Sequence, residues 1–340
     1  MSLSAAPFVL VTGASGFIAQ HCIQQLLTRG YHVRGTLRDT AKADALSRAL
    51  APDDEARQRL EFVRADLTRD EGWSDALSGV DGVLHTASPV PMRPPRDEAE
   101  VIVPAREGTL RVLGAAAEAG VRRVVLTSSI AAIVSGKIHG RGARYSEADW
   151  SDLDGKVSAY SKSKTLAERA AWEFQAALPA ARRFELATIN PAFVIGPNLL
   201  GTNNASNEIV RKLLAREVPG VPRIFFPLVD VRDVALAHVL ALMSKVAPGE
   251  RFLTSAHDCW YQDIARILSQ GGHRVPTRQV PNWLVHVVSW FDPTARLVLG
   301  DLGKSYQLQT DKIRRVLGWH PRPLQETILD TARDLLDRKK

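Results

Sequence analysis

Cysteine is scarce in this 340-residue sequence, which contains only Cys22 and Cys259 and no C-x-x-C pair. This usage fits a reducing compartment and gives no basis for a disulfide framework. The nine histidines show no H-E-x-x-H or related spacing, so we expect no bound metal. The sequence therefore predicts neither a disulfide scaffold nor a metal enzyme.

Long apolar runs and long basic runs are also missing. No apolar stretch reaches the roughly 20 residues that a membrane helix requires, and no charged-then-apolar signal region precedes Phe8–Val11. The net charge is +7, but the basic residues are scattered among acids without interleaved aromatics. We therefore expect a cytoplasmic enzyme, monomeric or homodimeric, that binds a small molecule rather than a membrane or a nucleic acid.

Apolar, β-branched runs alternate with helical patterns over the first 190 residues. The predicted strands are Phe8–Val11, Tyr31–Leu37, Leu60–Val63, Gly82–His85, Val121–Thr127 and Phe184–Ile189. The predicted helices are Ile18–Arg29, 98–119 and Ser158–Leu178. Continuous apolar strands between helices predict a parallel sheet covered on both faces, which is the Rossmann-type doubly wound α/β fold.

The pattern changes near residue 190, where loops rich in Asn, Pro and Gly begin and no new run of strand–helix units follows. We expect residues 1–190 to form the doubly wound domain, whose motifs indicate its cofactor. We expect residues 191–340 to form mainly a smaller C-terminal substrate-binding domain. The segment 228–242 is expected to return to the first domain.

A glycine motif, T-G-A-S-G-F-I-A (residues 12–19), follows the first predicted strand and opens a helix. Gly13 would allow a tight turn, and Gly16 would let a pyrophosphate approach the backbone at the helix N-terminus. Ser15, Phe17 and Ile18 are the other expected cofactor contacts of this motif. A plain glycine turn is the alternative interpretation.

The end of the second predicted strand distinguishes NADP from NAD. Leu37 stands where an NAD site usually has an acid, and Arg38 follows it. An arginine here often binds the 2′-phosphate of NADP, so Arg38 favours NADPH, with Lys42 as a possible second contact. Alternatively, Arg38 is a surface residue and Asp39 binds the ribose.

Asp66 and Leu67 follow the third predicted strand. A carboxylate at this place could accept a hydrogen bond from the adenine amino group, which would make both residues cofactor contacts. An aspartate that only stabilises a turn is the competing interpretation.

Tyr160 and Lys164 lie four residues apart in a predicted helix, so they share one face. A neighbouring ammonium stabilises a phenolate and lowers the pKa of a tyrosine, which would make Tyr160 a competent general acid. The pair alone is not specific. Support comes from Thr127-Ser128-Ser129 at the carboxyl end of a predicted strand, where such sheets bind ligands, although a single serine at a strand end is more often a turn or cap residue. A serine hydroxyl of this segment completes the candidate catalytic set with Tyr160 and Lys164.

Together these motifs resemble the extended short-chain dehydrogenase/reductases, and most of all their dihydroflavonol reductase-like branch, which includes cinnamoyl-CoA reductases and microbial aldehyde and ketone reductases. The segments that carry the resemblance span almost the whole chain: V-T-G-A-S-G-F-I-A (11–19), V-R-G-T-L-R-D (33–39), D-L-T (66–68), V-L-H-T-A-S-P (83–89), V-L-T-S-S (125–129), Y-S-K-S-K (160–164), N-P-A-F-V-I-G-P (190–197), V-D-V-R-D-V-A-L-A-H (229–238) and L-G-W-H-P-R-P-L (317–324).

The resemblance implies further cofactor contacts: Thr86, Ala87 and Ser88 near the ribose and pyrophosphate, Pro191 and Val194 at the nicotinamide, and Ser206 at the pyrophosphate. It also implies the mechanism. NADPH delivers a hydride to a carbonyl carbon, Tyr160 protonates the oxygen, Ser129 polarises it, and Lys164 holds the ribose and tunes Tyr160. An NAD(P)-dependent nucleotide-sugar epimerase or dehydratase and a non-catalytic NADPH-sensing regulator are the alternatives.

The substrate is less well defined by the sequence. The pocket is expected to form from the Ser88–Pro95 loop, the residues after Ile130 and the segment 196–210. Trp283, Trp290 and Phe291 could form an aromatic wall, although their near-helical spacing favours packing in the core of the second domain. An apolar or aromatic aldehyde or ketone is the expected substrate.

Overall fold

The central element of the computed structural model, which describes residues 7–89, 95–137, 142–201, 204–290 and 299–338, is a seven-stranded parallel sheet. Its strand order is β3-β2-β1-β4-β5-β7-β10. The strands are β1 (Phe8–Val11), β2 (His32–Leu37), β3 (Leu60–Arg64), β4 (Gly82–His85), β5 (Arg123–Thr127), β7 (Glu185–Pro191) and β10 (Arg251–Thr254). This order, in which β1 lies between β2 and β4 and the chain crosses over at that point, confirms the predicted doubly wound fold.

Helices cover both faces of this sheet. They are α1 (Phe17–Thr28), α2 (Ala43–Leu50), α3 (Asp54–Gln58), α4 (Trp73–Leu77), α5 (Ala99–Glu118), α6 (Ala159–Ala177) and α8 (Val231–Met243). Because side chains alternate along a strand, Val9 and Val11 join the core that contains Ile23 of α1. Leu10 joins the opposite core, which contains Val112 of α5. Burial on both faces explains the continuous apolar character of the strands.

A second, smaller group of elements follows β7. Its sheet has the order β11-β9-β8, with β8 (Phe193–Ile195), β9 (Phe225–Asp230) and β11 (His257–Trp260). Four of the remaining helices are α7 (Glu208–Leu214), α9 (Tyr261–Gln270), α10 (Asn282–Val288) and α12 (Leu324–Asp337). A separate core joins Leu228 of this sheet with Leu213, Ile264 and Ile328 of three helices.

The chain passes back from this group to the central sheet. Helix α8 packs against α1, and β10 pairs in parallel with β7. One further strand–helix–strand unit, β9-α8-β10, therefore follows residue 190, and the return extends beyond the expected segment 228–242. The domain division at residue 190 stays a prediction. A third, two-stranded sheet pairs β6 (Arg144–Tyr145) with β12 (Gln307–Leu308), and α11 (Asp311–Leu317) packs near β10. Over the ranges described, none of the helices has the length and apolar character needed to cross a bilayer.

Candidate active site

The glycine motif forms a tight turn between β1 and α1. Gly13 has φ +67°, and a Cβ there would stand 3.0 Å from the Cβ of Ala87. Thr36 of β2 fixes the turn, because its Oγ1 accepts a hydrogen bond from the Gly13 N–H at 2.8 Å. Gly16 is the N-cap residue of α1, with an extended backbone. The loop thus presents backbone amides at a helix N-terminus, as an anion such as a pyrophosphate requires.

The loop after β4 lies directly against this motif. The backbone N–H of Ala87 donates to Thr12 Oγ1 at 3.0 Å, and Thr86 Oγ1 donates to the Thr12 carbonyl at 2.6 Å. The same Thr12 hydroxyl is hydrogen-bonded to Nδ1 of the buried His85 at 2.8 Å. Thr86 and Ala87 are therefore beside Gly13, and Ser88 comes next in the chain. Sequence reasoning assigned no role to Thr12 or Thr36, because the expected contacts of the glycine motif begin at Gly13 and Thr36 lies inside a strand.

Arg38 and Lys42 follow β2 on the surface. Asp39, the alternative ribose ligand, caps the short 3-10 helix Thr40–Lys42 and accepts a hydrogen bond from the Ala41 N–H at 2.9 Å. This cap leaves Arg38 as the charged residue of the strand end that has no such local role. The arrangement favours the 2′-phosphate interpretation.

Asp66 accepts two hydrogen bonds within its own turn, from the Thr68 N–H at 2.9 Å and the Thr68 hydroxyl at 2.8 Å. The Thr68 backbone bond is the main cause that lowers the Asp66 pKa, and the positive charge of Arg38 adds to it. Leu67 packs against Gly108 of α5, because a Cβ added at Gly108 would stand 3.0 Å from the Cβ of Leu67. The two bonds from Thr68 agree with the interpretation that Asp66 stabilises its own turn. The adenine contacts of both residues stay predictions.

Tyr160, Lys164 and Ser129 lie together at the carboxyl end of the sheet. Tyr160 is in the first turn of α6, which Ser158 caps by accepting the Ser161 N–H at 3.1 Å. Lys164 follows one helical turn later and is buried, with 7% of its surface exposed. Ser129 follows β5, and its hydroxyl is close enough to Tyr160 to lower the tyrosine pKa by hydrogen bonding. The Ser129 Oγ also accepts the Ala131 N–H at 3.1 Å.

Burial is the largest cause of the pKa shifts of both Tyr160 and Lys164. It raises the pKa of Tyr160, against the smaller lowering effect of Ser129. The net direction is therefore opposite to the lowering expected from Lys164, because a buried phenolate loses more hydration than its neighbours replace. Burial also lowers the pKa of Lys164 to about 8, with the negative charge of Glu168 opposing the change. Both groups thus favour their neutral forms more than they do in water.

The remaining predicted contacts come from β7 and the segment after it. Pro191 ends β7, Val194 lies in β8, and Ser206 precedes α7 with its N–H donating to Asn204 Oδ1 at 3.1 Å.

The loop after β8 lies along α1: the Leu200 N–H donates to Gln20 Oε1 at 3.1 Å, and the Pro197 carbonyl lies 2.8 Å from a His21 ring nitrogen. This places the segment beside the cofactor helix. The individual contacts of Pro191, Val194 and Ser206 with a cofactor stay predictions.

The expected packing of Trp283 and Trp290 in the second core is wrong. Their exposed fractions are 67% and 72%, whereas Val285 of the short α10 is buried. Phe291 and residues 90–94 of the expected pocket loop lie outside the described residues.

An aromatic cluster that the sequence did not indicate links β6, β9, β11 and the segment before β12. Its ring pairs are Phe225–Trp260 at 5.5 Å, Phe225–Tyr306 at 5.6 Å and Tyr145–Tyr306 at 5.7 Å.

Comparisons with known proteins agree with this architecture. The sequence profile of the NAD dependent epimerase/dehydratase family matches residues 9–253. Cinnamoyl-CoA reductase CAD2 of Medicago truncatula is 35% identical over 341 residues, which cover 97% of this chain and 96% of that protein. The yeast methylglyoxal/isovaleraldehyde reductase Gre2, solved with NADPH, has a TM-score of 0.81 at 29% identity and covers 98% of this chain and 99% of its own. Gre2 of Candida albicans, also solved with NADPH, has a TM-score of 0.82 at 29% identity, with 98% and 100% covered.

These relatives confirm the resemblance to the reductase branch and the Rossmann-type fold. They also confirm the expectation of NADPH as the cofactor, since two similar structures contain it. The match covers the glycine motif, the strand-end serine, the tyrosine–lysine helix and all but the last residue of β10. The chain therefore belongs to the NAD dependent epimerase/dehydratase family, the extended short-chain dehydrogenase/reductases.

Proposed function

We propose that this protein is an NADPH-dependent carbonyl reductase that reduces an apolar or aromatic aldehyde or ketone to an alcohol. One observation carries the proposal: the hydroxyls of Ser129 and Tyr160 meet beside the buried Lys164, at the sheet edge that also holds the glycine turn. Two hydroxyl groups at one point can both hydrogen-bond a single carbonyl oxygen, which is the group that becomes negative during reduction.

The residues present fit a dinucleotide. The turn at Gly13 leaves no room for a Cβ, the N-terminus of α1 offers amides, and Arg38 is free of the local cap that engages Asp39. The Gly13–Ile18 loop would hold the pyrophosphate, and Arg38 with Lys42 would hold the 2′-phosphate. Bound there, NADPH supplies the hydride.

The side chains of the chain perform the proton chemistry. Tyr160 stays protonated at neutral pH because burial raises its pKa, so it is ready to donate its proton to the carbonyl oxygen. Ser129 fixes that oxygen by donating its hydroxyl hydrogen, while its Oγ is oriented by the Ala131 N–H. Lys164 places a positive charge next to the phenolate that Tyr160 becomes, which lowers the cost of the transfer.

The substrate class is argued from the relatives. One similar reductase is named for methylglyoxal and isovaleraldehyde, and another relative is a cinnamoyl-CoA reductase, whose name indicates a thioester. The thioester is therefore the second candidate substrate. Among the sequence motifs, no cluster of basic residues indicates a coenzyme A site, so the aldehyde or ketone is preferred.

The test is a steady-state assay that follows the absorbance of the reduced nicotinamide with NADPH and, separately, NADH. The panel contains aromatic aldehydes, aryl ketones, α-keto esters, dihydroflavonols and cinnamoyl-CoA, and a thiol reagent detects any free coenzyme A. Turnover of an aldehyde or ketone with NADPH, without thiol release, is expected. Tyr160→Phe should reduce kcat by about 10²–10⁴-fold, the usual contribution of a positioned general acid.

Three results would contradict the proposal in different ways. Thiol release would assign the thioester as substrate. A clear preference for NADH would remove the role of Arg38 and reopen the epimerase or dehydratase alternative. Tight NADPH binding with no turnover across the panel would support the sensing regulator.

A further inference from the structure

A buried polar cluster lies directly behind the catalytic residues, and its centre is Glu168 of α6, which is 1% exposed. We propose that Glu168 is a positioning residue, which fixes the ends of β5 and β7 against the helix that carries Tyr160 and Lys164. The inference deepens the proposed function and rests on it. Nothing in the sequence motifs indicated this role.

The Glu168 carboxylate accepts hydrogen bonds from three neighbouring strands. Its Oε2 accepts from Ser128 Oγ at 2.5 Å and from Asn190 Nδ2 at 2.8 Å. Its Oε1 accepts from Arg251 Nε at 2.7 Å and from Thr188 Oγ1 at 3.1 Å. These donors lie at or next to the carboxyl ends of β5 and β7 and at the start of β10. One side chain thus joins α6 to three strands on the face that it covers.

The cluster reaches the catalytic residues through two short paths. Ser128 directly precedes Ser129, and Asn190 Nδ2 also donates to the Ser129 carbonyl at 3.3 Å. Asn190 directly precedes Pro191, which is expected at the nicotinamide. Glu168 follows Lys164 by one helical turn, and its negative charge opposes the fall of the Lys164 pKa. A change at Glu168 therefore acts on the serine and the lysine without contact with the substrate.

Arg251 extends the same cluster to the segment after β6. Its Nη1 donates to the Glu147 and Asp149 carbonyls at 2.6 and 2.7 Å, and its guanidinium lies 3.8 Å from the centre of the Trp150 ring. A buried ion pair seldom stabilises a fold more than apolar side chains of equal volume would. Its position beside the catalytic residues is thus better explained by the geometry that it enforces, because several directed bonds hold one arrangement.

The test compares Glu168→Gln with Glu173→Gln, an exposed residue of the same helix, in the full-length protein. The amide side chain of Glu168→Gln has the same shape as the carboxylate. Its N–H groups, however, would face side chains that donate hydrogen bonds to the carboxylate in the wild-type protein. We expect kcat to fall by about 10²-fold, the effect of a misplacement near 1 Å, while NADPH binding measured by fluorescence stays close to wild type. Glu173→Gln should match wild type in both measurements.

A pH profile provides a readout that a purely structural role would not change. Without the charge of Glu168 the Lys164 pKa should fall below about 8, so the alkaline decrease of kcat should begin at lower pH. Ser128→Ala is the second variant in case Glu168→Gln does not fold. It removes one buried bond to the carboxylate, so it should lower the melting temperature by a few degrees, about 2–4 °C for each kcal/mol lost, and kcat by about tenfold.

The outcomes separate this inference from the proposed function. If Tyr160→Phe loses turnover but Glu168→Gln and Ser128→Ala both match Glu173→Gln, the positioning role is wrong and the proposed function stands. If Tyr160→Phe keeps wild-type turnover, the proposed function fails and the inference fails with it. Loss of kcat in Glu168→Gln together with an acid-shifted profile would support the role.

Discussion

The charge of Lys164 depends on pH in the range where enzymes work. Its pKa is lowered from 10.5 to about 8 by burial, so the ammonium is present below that pH and is lost above it. If this positive charge stabilises the phenolate of Tyr160, as proposed above, kcat should decrease as pH rises through about 8. The measurement is kcat against pH from 6 to 10 with saturating NADPH and substrate.

The variant Lys164→Arg tests whether loss of the Lys164 charge causes the decrease of kcat near pH 8. A guanidinium stays charged over the whole range, so the residual activity of the variant should show no decrease near pH 8. Lys162→Arg, at a half-buried position of the same helix that forms an ion pair with Glu98, should keep the wild-type profile. A decrease near pH 8 that persists in Lys164→Arg would assign the titration to another group.

Sequence reasoning located the residues that belong to local motifs and missed those whose role depends on distant partners. Gly13, Tyr160 and Lys164 lie within short motifs whose spacing fixes their relative positions. Glu168 has the appearance of an ordinary helix glutamate, because its partners come from β5, β7 and β10, separated from it by 20 to 83 positions in the chain. Trp283 was misplaced because helical spacing indicates one face but not whether anything covers it.

At the scale of single elements, the glycine turn after β1 combines two constraints. Gly13 has a positive φ and its missing Cβ leaves space for Ala87. Gly30, after α1, has φ +82° but no atom within 4 Å of the Cβ position. Gly13→Ala and Gly30→Ala should each cost about 1–2 kcal/mol of backbone strain. Only Gly13→Ala must also displace the loop after β4.

We therefore expect Gly13→Ala to weaken NADPH binding by roughly tenfold or more. Each 1.4 kcal/mol that displacement of this loop costs raises the dissociation constant about tenfold. Gly30→Ala should lose comparable stability in urea unfolding but keep the NADPH dissociation constant. Fluorescence titration of both variants with NADPH is the measurement. Equal loss of affinity in the two variants would show that backbone strain, and not the contact with Ala87, controls the cofactor loop.

The six central-sheet strands that begin before residue 190 and the helices α1, α5 and α6 were predicted, because these strands are mostly apolar and these helices are long. The short helices α2, α3 and α4 and the two-residue strand β6 were not predicted. Strand β10 was not predicted either, since Arg251–Thr254 contains only two large apolar residues and opens with an arginine. That arginine is tolerated in the sheet because Glu168 pairs with it at 2.7 Å. The element is thus specified by a tertiary partner, which local patterns do not contain.

At the scale of the whole molecule, buried histidines link stability to pH. Burial lowers the pKa of His85 to about 3 and of His238 to about 4, from 6.5. His238 Nε2 is hydrogen-bonded to Thr127 at 2.7 Å, and its Nδ1 lies 2.8 Å from the Val234 carbonyl. The folded protein holds both rings neutral, whereas the unfolded chain protonates them near 6.5. Stability is therefore fully present above pH 6.5 and decreases as the pH falls towards about 4.

Between pH 7 and pH 5 each of these rings should remove about 2 kcal/mol from the free energy of unfolding, or about 4 kcal/mol together, in addition to the contributions of carboxylates and of His21, whose pKa burial also lowers. Urea unfolding at the two pH values measures the sum. His238→Gln should reduce the pH-dependent difference by about 2 kcal/mol, even if the variant is less stable at both pH values. His32→Gln, at an exposed position, should leave the difference unchanged. An identical difference in wild type and His238→Gln would mean that the buried ring gains its proton without unfolding, so that the core around β5 and α8 opens to water more readily than its packing indicates.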